Sequence, residues 1–114
     1  MHTRLFYGTI QLGKEKEALA VLNEFVERVK QLPGCLLAQL LQSGNEIVGI
    51  STWETKETLA AYADGEVARA LFTRITPLFL GRPTARSYEV KRSVSEQEVK
   101  KEFTFPITPF FDEL

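Results

Sequence analysis

The strongest periodic stretch covers residues 14–32. Ala18, Leu22, Phe25, Val29 and Leu32, flanked by Leu19 and Val26, recur at steps of three and four, and Glu17, Glu24, Glu27, Arg28 and Lys30 fall largely outside that stripe. A step near 3.6 puts the first set on one side of a helix and the charges on the other. Pro33-Gly34 ends it, since proline cannot continue the helical ladder and glycine accepts the left-handed geometry that follows. Ahead of the helix, residues 5–10 (LFYGTI) are short, apolar and aromatic and read as a strand, with Gly13 marking its end.

Residues 35–42 (CLLAQLLQ) and 46–53 (EIVGISTW) flank Ser43-Gly44-Asn45. Gly and Asn tolerate the positive φ of a tight turn, so these are two strands of a hairpin. Residues 55–63 form a short helix with Thr55 able to cap it, Asp64-Gly65 interrupts, and residues 66–75 form a second helical stretch. Pro77, Gly81 and Pro83 break the chain before residues 84–91 (TARSYEVK), which alternate well enough for a fourth strand. The order is β-α-β-β-α-β, the split βαβ arrangement of an α+β, ferredoxin-like sandwich spanning residues 1–92. Residues 93–114 form an extension. Ser95 and Glu98 have capping-box spacing before a short charged helix, and FTFPITPFFDEL then gathers four of the eight Phe residues. That tail is either docked, on this subunit or across a dimer, or left loose.

A half-exposed strand alternates apolar and polar residues, yet CLLAQLLQ and IVGI are apolar on both faces. Two helical stretches can cover one face of a four-stranded sheet, and this chain has no second helical layer. A second copy packed sheet to sheet in a homodimer covers the other face most economically; the C-terminal tail folding back is the alternative. Composition then narrows the partners. Fourteen Lys plus Arg against fifteen Asp plus Glu give a net charge of −1, so there is no field to draw in nucleic acid or a membrane surface. One cysteine (Cys35) and one histidine (His2) exclude a disulfide framework and the usual zinc sets, which predicts no metal and a cytoplasmic setting.

Chemistry could gather on the third strand. Gly49, Ser51 and Trp53 share one face because side chains alternate. If that face meets the helices, Phe6, Tyr62 and Phe72 line the same space, with Tyr7 reaching it if its strand twists inward and Arg74 or Arg86 at the rim. An aromatic cleft with few donors suits a flat hydrophobic small molecule. Two alternatives stay open: an open pocket, or rings interdigitated into a dry core.

The element order, the LPGC link and the junction WETKETLAAYADGEVARALF resemble the antibiotic biosynthesis monooxygenase family of dimeric α+β barrels over about residues 3–92. The resemblance implies a homodimer and a choice of chemistries: cofactor-independent oxygenation of quinols and polyketides, haem degradation, or no activity. The haem-degrading branch resembles an Asn, a Trp and an iron-ligating His at positions that here hold Phe6, Tyr62 and Phe72, and a Phe cannot ligate iron. The polyketide-oxidising branch resembles an Asn, a Trp, a Tyr and an Arg; Trp53 is retained, whereas Gly49, Leu59 and Leu71 stand at the other three. The implied activity is therefore a cofactor-independent monooxygenase acting on an electron-rich quinol or phenolic ring. Its expected site has Trp53 and Tyr62 as catalytic residues and Phe6, Tyr7, Gly49, Phe72, Arg74 and Arg86 around the substrate. The alternative is a non-catalytic dimeric module that binds a hydrophobic metabolite or serves a structural role.

Overall fold

A computed structural model describes residues 1–94. The expected helix from Ser95 and the Phe- and Pro-rich tail lie outside the described residues. The elements are β1 (His2–Thr9), α1 (Glu15–Lys30), β2 (Cys35–Ser43), β3 (Glu46–Trp53), α2 (Lys56–Ala63), α3 (Glu66–Ile75), a 3₁₀ turn (Thr76–Leu78) and β4 (Thr84–Glu89). The sheet is antiparallel throughout in the order β2-β3-β1-β4, the ferredoxin-like topology. β1 starts earlier than its apolar run, because His2, Thr3 and Arg4 continue the ladder with Trp53, Thr52 and Ser51. β4 stops at Glu89, short of the expected residue 91.

Local chemistry sets the boundaries. Thr55 caps α2 reciprocally with Thr58: each side chain accepts from the other residue's backbone N–H, at 3.1 and 3.3 Å. α1 lacks a side-chain cap at Lys14; instead the Glu15 carboxylate accepts from the Gly13 N–H at 2.9 Å and from the Asn45 amide at 3.0 Å, tying the helix start to the β2–β3 turn. At Gly34 (φ +83°) a side chain would need the left-handed region, and a Cβ there would also collide with Thr58.

α1 and α3 lay their apolar stripes on one face of the sheet. Ala18, Leu22 and Phe25 from α1, Leu71 and Ile75 from α3, Phe6 and Ile47 from the sheet, and Phe79 from the loop before β4 form the main core. A second cluster of Val29, Cys35, Trp53 and Leu59 fills the end beneath α2. Burying Phe25 alone contributes about 2 kcal/mol.

Strand period two divides the residues between the faces. Phe6, Gly49, Ser51 and Trp53 meet the helices. Leu5, Tyr7, Leu37, Leu41, Val48, Ile50 and Tyr88 occupy the opposite face, where Tyr7, Leu37, Leu41 and Tyr88 are exposed and the rest half-buried. The two-sided apolar pattern in β2 and β3 thus corresponds to one face packed on the helices and one apolar face that the other described residues leave uncovered.

Candidate functional site

The end of β3 holds a buried aromatic ring with a stacked partner and an internal hydrogen bond. Trp53 is 0% exposed, and its ring stacks on Tyr62 from α2 with centroids 5.0 Å apart and planes 17° from parallel. Its Nε1–H donates to Ser51 Oγ at 2.9 Å. The indole thus spends its single donor inside the protein.

A small cavity opens beside this stack, between the helix face of the sheet and the α1, α2 and α3 helices. Its volume is about 50 Å³, and Arg4, Phe6, Gly49, Ser51 and Tyr62 line it with Leu22, Phe25 and Leu71. Gly49 leaves part of the room: a Cβ there would reach Phe6 only at ordinary van der Waals distance, 3.6 Å. Behind Tyr62 a second cavity of about 300 Å³ lies between Pro33, Thr58, Ala61, Glu66 and Val67, with Trp53 and Tyr62 in its wall. The Tyr62 ring is therefore a partition between two spaces. Burial pushes its phenol above the ordinary range, with the Arg4 charge pulling the other way.

Of the residues expected around a substrate, the structure brings Phe6, Gly49, Trp53 and Tyr62 together. Phe72 packs edge-on to Phe6 at 5.2 Å but stands behind it, outside the cavity lining. Tyr7 is on the opposite face of the sheet: it neighbours Phe6 in β1, and consecutive side chains point opposite ways. Arg86 shares that face, as the register partner of Leu5, with its guanidinium 5.5 Å from the Tyr88 ring. Arg74 is taken up by Glu24, which accepts from both terminal nitrogens at 2.8 and 3.0 Å; the pair clamps α1 to α3 above the Phe25 ring. None of these three lines the cavity. Twist does not carry Tyr7 inward, and the two arginines are held elsewhere.

The cation that does line it is Arg4. Its Nη1 donates to Ser87 Oγ over a long 3.4 Å, and among the described residues no carboxylate lies within ion-pair distance of it. Sequence reasoning missed it because Arg4 precedes the apolar run taken for β1. Its spacing from Phe6 on an extended strand was the available signal. Among the described residues, no three His, Cys, Asp or Glu side chains gather as a metal set would, and no helix is long and apolar enough to cross a membrane. Cys35 is buried, which pushes its thiol up.

A ferredoxin-like sheet with helices on one face, an aromatic cleft beneath them and an apolar opposite face defines a small α+β class of proteins. Within it, the chain belongs to the antibiotic biosynthesis monooxygenase family, whose model matches residues 1–74. Solved structures agree on the fold. A candidate antibiotic biosynthesis monooxygenase from Nitrosomonas europaea superposes with a TM-score of 0.72 at 15% identity, over 81% of this chain and 100% of that one. Rv0793 from Mycobacterium tuberculosis gives 0.74 at 12% identity, over 82% and 98%. A variant of SnoaB, a cofactor-independent oxygenase from Streptomyces nogalater, gives 0.70 at 16% identity, over 82% and 95%. No curated protein matches the chain by sequence.

Proposed function

We propose that the protein is a cofactor-independent monooxygenase acting on an electron-rich quinol or phenolic ring, and that it works as a homodimer in the cytoplasm. The observation that carries this reading is a cleft walled mainly by aromatic and aliphatic residues, with Arg4, Gln39, Ser51 and Tyr62 as the polar residues of its lining, in a chain of this family. SnoaB, similar in fold, is a cofactor-independent oxygenase. Such chemistry needs a substrate that supplies its own electrons as an anion and a site that favours that anion. The overall change balances without an added reductant: a ring CH2 of the keto tautomer plus O2 gives a carbonyl and water. In this reading Tyr62 and Phe6 contact the ring, and Tyr62 shifts off Trp53 to join the two cavities, because about 50 Å³ is below the size of ordinary ligand pockets.

The dimer rests on the open sheet face. Leu37, Leu41, Tyr7 and Tyr88 form an exposed apolar surface on the side away from the helices, and a second copy of that face would cover it. Light scattering at micromolar concentration should give twice the chain mass; a monomer mass would refute the assembly.

Two observations favour the non-catalytic reading, a dimeric binding module: the first cavity is small and the Trp53 donor is internally satisfied. Oxygen consumption with a panel of quinols and phenols separates the two. The oxygenase reading expects uptake above the uncatalysed rate that falls in Tyr62→Phe and Arg4→Gln; uptake no faster than in buffer would leave the binding module.

A further inference from the structure

Along the helix face of the sheet, one row of register partners runs Ala38, Ser51, Arg4, Ser87 from β2 to β4. Ser51 is the buried polar member, 7% exposed, and its hydroxyl accepts the Trp53 N–H. A hydroxyl carries one donor as well as its lone pairs. Among the described residues the Ser51 O–H has no acceptor, which leaves a buried donor unpaired. It lines the same cavity as Arg4, whose guanidinium has donors to spare and no carboxylate partner among the described residues. The helices contribute hydrocarbon to this space apart from the Tyr62 phenol. Surplus donors in an acceptor-poor, apolar cleft favour a ligand oxygen that only accepts and carries negative charge.

We propose that Ser51 and Arg4 together hold the ionised oxygen of a phenolic or enolic ligand, and that Trp53 is the positioning residue that turns the Ser51 hydroxyl toward it. By spending its N–H on one Ser51 lone pair, the indole leaves the O–H directed to the remaining partner. The cavity takes the oxygen-bearing edge of a ring, and Tyr62 borders the rest. The proposal deepens the oxygenase reading by naming what favours the substrate anion, yet an anion-binding site exists whether or not oxygen reacts.

The titratable groups near the site are Arg4 on β1, Tyr62 on α2 and Cys35 on β2; His2 and Glu89 lie one row along the sheet, and α1 and α3 face the cavity with apolar side chains. Tyr62 and Cys35 are both pushed up by burial and stay neutral near neutral pH. A shift in a ligand's titration there reports the Ser51–Arg4 pair.

The experiment is a spectrophotometric pH titration of 4-nitrophenol, free and with saturating protein. The phenolate should bind about tenfold more tightly than the phenol, lowering the bound probe's apparent pKa by about one unit. Arg4→Gln should abolish most of that shift, Arg4→Lys keep part of it, and Arg74→Gln, whose partner is Glu24, leave it intact. Ser51→Ala should reduce it, and Trp53→Phe should reduce it by a similar factor, with no further loss in the double variant. Because Arg4 is only half-buried, its variants carry the test even if Ser51→Ala does not fold. A probe that fails to bind, a shift that survives Arg4→Gln, or equal displacement by acetate would each overturn the proposal. A shift without oxygen uptake would retain the anion site and remove the oxygenase; uptake without a shift would do the reverse.

Discussion

Replacing Trp53 by Phe tests the physical centre of the site. The substitution keeps a ring against Tyr62 but removes the Nε1–H that donates to Ser51. Losing that hydrogen bond costs about 1 kcal/mol. The smaller ring vacates roughly 40 Å³ in a fully buried position, worth about another 1 kcal/mol at the usual cavity cost. Trp53→Phe should therefore lose about 2 kcal/mol. Ser51→Ala strands a buried indole N–H, at a cost of about 1–3 kcal/mol, and removes the unpaired Ser51 O–H, which offsets part of that loss. The double variant strands nothing, so its loss should fall short of the sum by about 1 kcal/mol. The assay is urea unfolding followed by far-UV circular dichroism, at one protein concentration for all four proteins, since the proposed dimerisation would make apparent stability concentration-dependent. Tryptophan fluorescence is unsuitable, as Trp53 is the one Trp in the chain. Losses that add to within about 0.3 kcal/mol would mean that the two side chains do not share a bond, and the positioning role of Trp53 would fall with it.

Other outcomes follow from the same structure. Gly8→Ala puts a Cβ within the Phe79 ring and should cost about 1–3 kcal/mol by overpacking, whereas Gly49→Ala, with ordinary contact at Phe6, should hold or raise stability; equal costs in urea unfolding would contradict the packing. The Glu24 carboxyl is held below its ordinary value, chiefly by the Arg74 hydrogen bonds, so its contribution to stability is present above the ordinary carboxylate value and fades as pH falls through the lowered folded value; an NMR titration of Glu24 that moves back toward ordinary in Arg74→Gln is expected, and no movement would break that link. Cys35 should react with iodoacetamide far more slowly at neutral pH than in urea, and equal rates would contradict its burial. Leu41→Arg on the open sheet face should halve the mass seen by light scattering, and an unchanged dimer would place the interface elsewhere.

The sequence carried the elements because periodicity changes sharply along this chain. The i, i+4 stripe of α1, the Pro33-Gly34 stop and the Gly44 hairpin each have a local physical cause, and each stands within a residue or two of its expected place. The site was legible only in part. Gly49, Ser51 and Trp53 could be assigned to one face from strand period alone, and that face does meet the helices. Period two also opposes Phe6 to Tyr7, so the inward twist allowed for Tyr7 was the weaker inference. Arg74 was lost to a long-range pairing: Glu24 is 50 residues away and meets it only once α1 packs on α3. Arg86 lay on a strand whose short, mixed pattern does not announce which face is which. Arg4 was overlooked because polar residues extend β1 beyond its apolar run, and ladder hydrogen bonds do not need apolar side chains.

Oxygenation in the cleft without a bound cofactor is open to a decisive measurement: product mass spectrometry under ¹⁸O2 in chelator-treated buffer, with the quinol that gives the fastest oxygen uptake. One labelled oxygen atom is expected in the product carbonyl, formed faster with the wild-type protein than in buffer and reduced in Arg4→Gln. Oxygen drawn from water, or labelled product formed no faster than in buffer, would contradict it.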